Sequence, residues 1–228
     1  MVGAMMAGSR DPFDLIDEIG IVPVVVVADV STSSDLAAAL VDGGLPIAEI
    51  TLRTDAAAGA IRAFAEQPGI LVGAGTVLTA DQVDLAVDSG ARFVVSPGFS
   101  TAVVRRAQEL GVPVIPGVSS ATDVQTAVQE GLDRVKLFPA HQLGGPAMIR
   151  ALSDPFPDTR FLPSGGVSMD NAKDYLAIPS VFALGGSWMV RRSILQAHEF
   201  SEVTRLCSEA VSFIAAARSV PPSGKSRL

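Results

Sequence analysis

The feature that most constrains the fold is a unit repeated eight times along the chain. Each unit has a short β-branched run, a polar or glycine-rich turn and an alanine-rich segment with helical spacing. The β-branched runs are centred near Val24, Glu49, Gly73, Val94, Val114, Lys136, Leu162 and Ala183. Their spacing of roughly 20 to 25 residues accommodates one strand, one helix and two short connections. Eight such units predict a parallel sheet covered by helices.

Two architectures accommodate these units: a closed (β/α)8 TIM barrel and an open doubly wound sheet. The apolar run IVPVVVV at residues 21–27 predicts a strand buried on both faces, which suits either architecture. The units are nearly equal, however, and no GxGxxG pattern follows the first strand, as it does in open dinucleotide-binding sheets. We therefore predict an α/β fold, a (β/α)8 barrel, with an extra N-terminal helix over residues 11–19 that closes its N-terminal end.

Composition favours one apolar domain. Hydrophobic residues make up 48% of the 228 positions and charged residues 18%, enough to fill a single core. Residues 1–10 and 219–228 lack apolar periodicity, so we expect disordered tails on either side of a barrel domain at 11–218. The longest apolar stretch, residues 19–28, is interrupted by Gly20 and Pro23 and is shorter than the roughly 20 residues of a membrane span.

Charge and cysteine content exclude several kinds of partner and site. The net charge of −7 leaves no basic stripe for phosphodiesters, so we expect no nucleic-acid partner. The single cysteine, Cys207, cannot form an intramolecular disulfide, and the first residues lack a cationic leader, which predicts a cytoplasmic protein. The two histidines, His141 and His198, lie far apart in sequence, so we expect no metal site.

Lys136 is the most informative polar residue. It stands between Val135 and Leu137 in the sixth predicted strand. Alternation places Arg134, Lys136 and Phe138 on one face, which points into the barrel if the flanking apolar residues face the helices. Burial disfavours the ammonium form, and the neutral amine is the form that attacks a ketone to make a Schiff base. The alternative is a structural lysine paired with a carboxylate.

Glu49 and Arg53 share one face of the second predicted strand by the same alternation. Arg53 is expected roughly 13 Å further along, at the rim of the barrel. A buried carboxylate beside an amine can move protons, and a rim arginine can hold a substrate carboxylate through two hydrogen bonds. The alternative is that Glu49 forms an ion pair with Arg53 or Lys136 that only stabilises the barrel.

Glycine pairs follow the last two predicted strands. They occur in Ser164-Gly165-Gly166 and in Gly185-Gly186-Ser187. Paired glycines let backbone N–H groups approach an anion, and phosphate sites after the seventh and eighth strands recur in barrels. The alternative is that the glycines only make turns. Two weaker candidates are Thr76, whose hydroxyl could reach the site, and Pro97, which either lines the pocket or turns the chain.

Two long stretches resemble signatures of the 2-keto-3-deoxy-6-phosphogluconate (KDPG) and 4-hydroxy-2-oxoglutarate (KHG) aldolase family. They are GLPIAEITLR at residues 44–53 and GLDRVKLFPAHQLG at residues 131–144. The resemblance continues through VGAGT at 72–76, VSPG at 95–98, PSGGV at 163–167 and GGS at 185–187. It covers residues 13–215. One departure is His141, where family members often have glutamate.

The resemblance implies a barrel enzyme that needs no cofactor. Lys136 would form a Schiff base with the C2 ketone of a phosphorylated 2-keto sugar acid. Glu49 would move protons through a bound water, and cleavage would release pyruvate and glyceraldehyde 3-phosphate. The family is typically homotrimeric, so the expected partners are a small-molecule substrate and further copies of the chain.

The resemblance also implies roles for the binding residues. The pyruvyl carboxylate would be held by Arg53 and Thr76, in a pocket shaped by Pro97 and Phe138. The distal phosphate would be held by the backbone of Gly165 and Gly166 and the hydroxyl of Ser187, with Ser164 and Gly186 nearby. The alternatives are the galactonate epimer or KHG as substrate, an isomerase or epimerase without a covalent intermediate, and a non-catalytic phosphate-binding barrel.

Overall fold

The computed structural model describes residues 11–219, and its strands form a parallel ring. The strands are β1 (Ile21–Val25), β2 (Ile47–Thr51), β3 (Leu71–Gly75), β4 (Val94–Val95), β5 (Val114–Ile115), β6 (Gly117–Val118), β7 (Arg134–Leu137), β8 (Arg160–Pro163) and β9 (Leu184–Gly186). β5 and β6 are two pieces of the fifth barrel strand, interrupted at Pro116, which has no N–H to donate. Of the predicted tails, residues 1–10 and 220–228 lie outside the described residues.

Strand pairing closes the ring. One set of hydrogen-bonded neighbours runs β5-β4-β3-β2-β1-β9, and the other runs β6-β7-β8. The two sets meet at Pro116 and at the parallel bridges Phe161↔Val181 and Ser164↔Gly185, which join β8 to the last strand. The predicted (β/α)8 barrel is confirmed, and the open doubly wound sheet is not formed.

The helices are α1 (Pro12–Ile19), α2 (Ser33–Asp42), α3 (Ala57–Ala65), α4 (Ala80–Asp88), α5 (Thr101–Glu109), α6 (Ala121–Gln129), α7 (Pro146–Ser153), α8 (Met169–Leu176), α9 (Arg192–Gln196) and α10 (Phe200–Arg218). Helices α2 to α10 follow strands and pack on the outside of the ring, whereas α1 precedes β1. Several begin at a capping side chain: Thr79, Ser100 and Ser120 each accept a hydrogen bond from a first-turn N–H. No helix between residues 11 and 219 has the length and apolarity needed to cross a membrane.

The N-terminal helix α1 covers the N-terminal end of the barrel, as predicted. Its Ile16 is fully buried and joins the interior cluster of apolar side chains. Its Asp17 carboxylate forms ion pairs with Arg134 at 3.2 Å and with Arg160 at 2.6 Å. The Arg134 guanidinium also lies 4.6 Å from the centre of the Phe13 ring. The helix therefore attaches to the first residues of β7 and β8.

Apolar side chains divide between two cores, as the period-2 alternation predicts. Ile47 of β2 points inward with Val22, Phe93, Val95, Ile115 and Leu162. Ala48 and Ile50 of the same strand point outward, as do Val135 and Leu137 of β7. The interior cluster fills the part of the barrel next to α1. It leaves the inward-facing positions further along β2 and β7 for polar side chains.

Candidate active site

Lys136 and Glu49 meet inside the barrel. The Lys136 Nζ lies 3.0 Å from Oε1 and 3.3 Å from Oε2 of Glu49. Lys136 is 5% exposed and Glu49 is fully buried. Because β2 and β7 are not hydrogen-bonded neighbours, the contact spans the interior, and both side chains point inward as their alternation predicts. The pair is therefore a proton donor and acceptor in direct contact, shielded from bulk water.

Glycines make room for this pair. A Cβ added to Gly75 of β3 would overlap the Glu49 carboxylate, and one added to Gly73 would overlap the Phe93 ring. Gly117, which is opposite Lys136 in the parallel register, leaves space for the backbone carbonyl of Pro97. Gly75 thus provides the volume that the Glu49 carboxylate occupies, and Gly73 and Gly117 let the Phe93 ring and the Pro97 backbone pack closely around the interior.

Phe138 and Pro97 form walls near Lys136. The Lys136 Nζ lies 5.5 Å from the centre of the Phe138 ring, so the face of the ring is available to a cation at this nitrogen. The Pro97 turn is held by Ser96, whose hydroxyl donates to the Gly98 carbonyl at 2.8 Å. The structure therefore brings both predicted pocket residues to the same end of the barrel as the pair.

Arg53 lies outside the barrel interior. β2 ends at Thr51, and the backbone N–H of Arg53 donates to the Thr51 carbonyl at 2.8 Å. The chain therefore turns before Arg53, and the alternation of side chains along the strand no longer applies. The side chain is exposed and lines cavities of about 370 and 450 Å³. No ion pair joins its guanidinium to another residue between 11 and 219. The structure thus does not place Arg53 against Lys136 or Glu49.

Thr76 has an unusual backbone at the end of β3. Its φ of 57° is in the left-handed region, which a β-branched residue rarely adopts. It directly follows Gly75, the residue in contact with the Glu49 carboxylate. Such strain at the mouth of a polar pocket is common where a side chain must be presented to a ligand.

The loop after β8 presents backbone toward solvent. Gly165 and Gly166 have φ values of 89° and 77°, which favour glycine. Ser164 is buried, and its Oγ would lie only 2.7 Å from a Cβ built on Gly185. The segment at residues 164–166 and the segment at residues 185–187 are therefore in contact. Gly166 is exposed, and its carbonyl accepts a hydrogen bond from the Asn171 side chain at 2.9 Å. This loop then leads directly into helix α8.

The loop after β9 completes this side of the barrel. Ser187 is exposed and precedes a short 3-10 helix at Trp188–Val190. The Trp188 ring covers Gly186, where a Cβ would overlap it. The predicted phosphate-binding segments therefore lie together, with glycine backbone and a serine hydroxyl at the same end of the barrel.

The two histidines differ in position. His141 follows β7 and is exposed. Its backbone N–H donates to the Gly165 carbonyl at 3.0 Å, so the residue lies beside the glycine loop. His198 is exposed in the connection between α9 and α10 and lines the cavity that Arg53 also lines. Among residues 11–219 there is no group of three His, Cys, Asp or Glu side chains able to hold a metal ion.

Two residues of the site were missed from sequence. Asn171 fixes the Gly166 carbonyl, and its Oδ1 also accepts the Ser168 N–H at 2.9 Å as part of a capping box. The Ser-x-x-Asn spacing before a helical segment is a signal that could have found it. Gly75 makes room for Glu49, and a glycine next to a strand bearing a buried carboxylate gives no comparable signal.

Comparison with known proteins agrees with this geometry. A family model described as KDPG and KHG aldolase matches residues 14–206. The 2-dehydro-3-deoxy-phosphogluconate aldolase of Treponema pallidum is 43% identical over 203 residues, covering 89% of this chain and 97% of that protein. The KHG/KDPG aldolase of Escherichia coli K12 is 42% identical over 192 residues, covering 84% of this chain and 90% of that protein.

A solved structure is similar over the same length. It is the KDPG aldolase of Legionella pneumophila, with pyruvate captured at low pH as a covalent carbinolamine intermediate. The TM-score is 0.85 at 36% identity, and the match covers 88% of this chain and 98% of that one. Family model, sequence relatives and structure agree across the barrel, and the chain therefore belongs to the KDPG and KHG aldolase family.

Proposed function

We propose that the protein is a class I aldolase that cleaves KDPG into pyruvate and glyceraldehyde 3-phosphate. The observation that carries this proposal is the buried contact between Lys136 and Glu49. Schiff-base chemistry needs a nucleophilic amine and a group that accepts and returns protons. Family membership and the glycine loops at the same end of the barrel support a phosphorylated 2-keto acid as the substrate.

The first step forms the covalent bond to the substrate. Lys136 passes a proton to Glu49, and the neutral amine attacks the C2 ketone, whose oxygen takes up a proton to give a carbinolamine. Loss of water leaves a protonated imine between Nζ and C2. The Phe138 ring face near Nζ stabilises this cation.

The second step breaks the C3–C4 bond. Glu49, acting through a bound water, removes the proton of the C4 hydroxyl, and the bonding electrons pass to the protonated imine. Glyceraldehyde 3-phosphate leaves with the new aldehyde, and an enamine of pyruvate remains on Lys136. Protonation at C3 and hydrolysis of the imine release pyruvate and restore the amine.

The remaining site residues hold the two ends of the substrate. Thr76 and Arg53 are assigned to the pyruvyl carboxylate, with Arg53 turning inward from its exposed position when substrate binds. Pro97 and Phe138 shape the pocket between the ends. The distal phosphate is assigned to the loop after β8, with Ser164, Gly165 and Gly166, and to the end of β9, with Gly186 and the following Ser187.

We also propose that the chain assembles as a homotrimer. Supporting this are the resemblance to a family that is typically homotrimeric and two exposed apolar side chains, Leu78 just before α4 (55% exposed) and Leu85 within α4 (42% exposed). Multi-angle light scattering should give about three times the 23.5 kDa mass of one chain. A monomer mass at micromolar concentration would contradict the assembly.

Pyruvate release tests the activity directly. At matched concentrations of KDPG, its galactonate epimer and KHG, we expect the highest kcat/KM for KDPG. Lys136→Ala should abolish measurable cleavage, and Glu49→Gln should lower kcat by about 10² to 10⁴ because the proton carrier is lost. Lys173→Ala, at an exposed position on α8, is the matched control and should retain parental rates.

Two outcomes of this assay would count against the proposal. Turnover by Lys136→Ala equal to the parent would remove the Schiff base from the mechanism. A higher kcat/KM with the galactonate epimer would replace the substrate while leaving the reaction type intact.

Replacing Thr76 by glycine should affect the free energy of unfolding and the KM in different ways. The left-handed conformation disfavours a residue with a Cβ by about 1–2 kcal/mol, whereas glycine adopts it freely but loses about 0.5–1 kcal/mol more chain entropy. Thr76→Gly should therefore unfold in urea with a free energy unchanged or raised by about 1 kcal/mol, while its KM rises because the hydroxyl is gone. Thr76→Ser keeps the hydroxyl and should keep the KM; a parental KM for Thr76→Gly would argue against a role in binding.

A further inference from the structure

We infer that His141 strengthens the preference for phosphorylated substrates by donating an imidazole N–H to the distal phosphate. The inference rests on the proposed function, since it concerns the phosphate end of the same substrate. It makes His141 a specificity-determining residue that takes no part in the covalent chemistry at Lys136.

Backbone hydrogen bonds fix the position of His141. After β7, the Ala140 N–H donates to the Ser164 carbonyl at 2.8 Å, and the His141 N–H donates to the Gly165 carbonyl at 3.0 Å. These two bonds join the loop after β7 to the glycine loop after β8. The backbone of His141 is thus held one residue away from Gly166.

The side chain of His141 leaves this backbone directly beside Gly166. A Cβ built on Gly166 would lie 2.5 Å from the His141 Cβ and 3.2 Å from its Cγ. Both residues are exposed, so the imidazole and the Gly166 backbone reach solvent at the same place. Gly166 itself is held from the other side by Asn171, whose amide donates to its carbonyl. An anion bound at Gly166 therefore comes within the range of the imidazole.

The imidazole nitrogens of His141 are available to bind a ligand. Within the part of the chain that the structure describes, neither ring nitrogen of His141 has a hydrogen-bond partner. A neutral imidazole offers one N–H donor and an imidazolium offers two, both suited to phosphate oxygens. KHG ends in a carboxylate bonded directly to C4, three bonds short of the phosphorus of KDPG, so its binding should not involve this residue. The side chain would then favour the phosphorylated substrate selectively.

Paired measurements with KDPG and KHG test this role. His141→Phe keeps a ring but removes the donor, and it should raise the KM for KDPG about twofold to fivefold, the range of an exposed ionic hydrogen bond. His141→Gln retains an N–H donor and should stay within about twofold of the parent. The KM for KHG should be unchanged in both variants.

Gln125→Ala, at an exposed position on α6, is the control and should leave both KM values unchanged. Equal shifts for KDPG and KHG in His141→Phe would show a general effect on the loop and overturn the inference. A parental KM for KDPG in His141→Phe would also overturn it. If the parent protein cleaves neither substrate, the proposed function fails, which is a distinct result.

Discussion

The buried ion pair between Lys136 and Glu49 links the closure of the barrel to the candidate site. Removing an ammonium and a carboxylate from water is unfavourable by roughly several kcal/mol for each ion, and only close contact offsets this. Here the Nζ lies within 3.3 Å of both carboxylate oxygens. Because β2 and β7 are not neighbours in the sheet, the pair can form only when the ring is closed. Closure of the barrel and assembly of the candidate site are therefore one event.

The surroundings of the pair divide along the barrel axis. On the side of α1, the interior is filled by buried apolar residues such as Val22, Ile47 and Leu162. On the other side, glycines replace side chains, so that Gly75 accommodates Glu49 and Gly165 lies against the Phe138 ring. The site is thus a polar layer between the apolar interior next to α1 and the glycine-rich loops at the other end of the barrel. This arrangement suits a reaction whose substrate is an anion at both ends.

The sequence predicted those parts of the structure that follow from local periodicity. The eight units, the helix that closes the barrel and the inward direction of Lys136 and Glu49 follow from apolar spacing, and the structure agrees. The alternation of side chains along β2 did not predict the direction of Arg53, because β2 ends at Thr51 and the chain turns before the arginine. The packing of His141 against Gly166 joins two loops that are distant in sequence, and local patterns carry no information about it. The assigned roles of the site residues remain predictions.

Borohydride reduction in the presence of pyruvate, followed by peptide mass mapping, tests the Schiff base most directly. We expect one reduced pyruvate adduct per chain, located on Lys136, and no adduct in Lys136→Ala. A barrel isomerase or a non-catalytic phosphate-binding barrel would give no adduct. Absence of the adduct under conditions that trap a known imine-forming aldolase, or its appearance on Lys173 or Lys225 alone, would rule out Lys136 as the Schiff-base lysine.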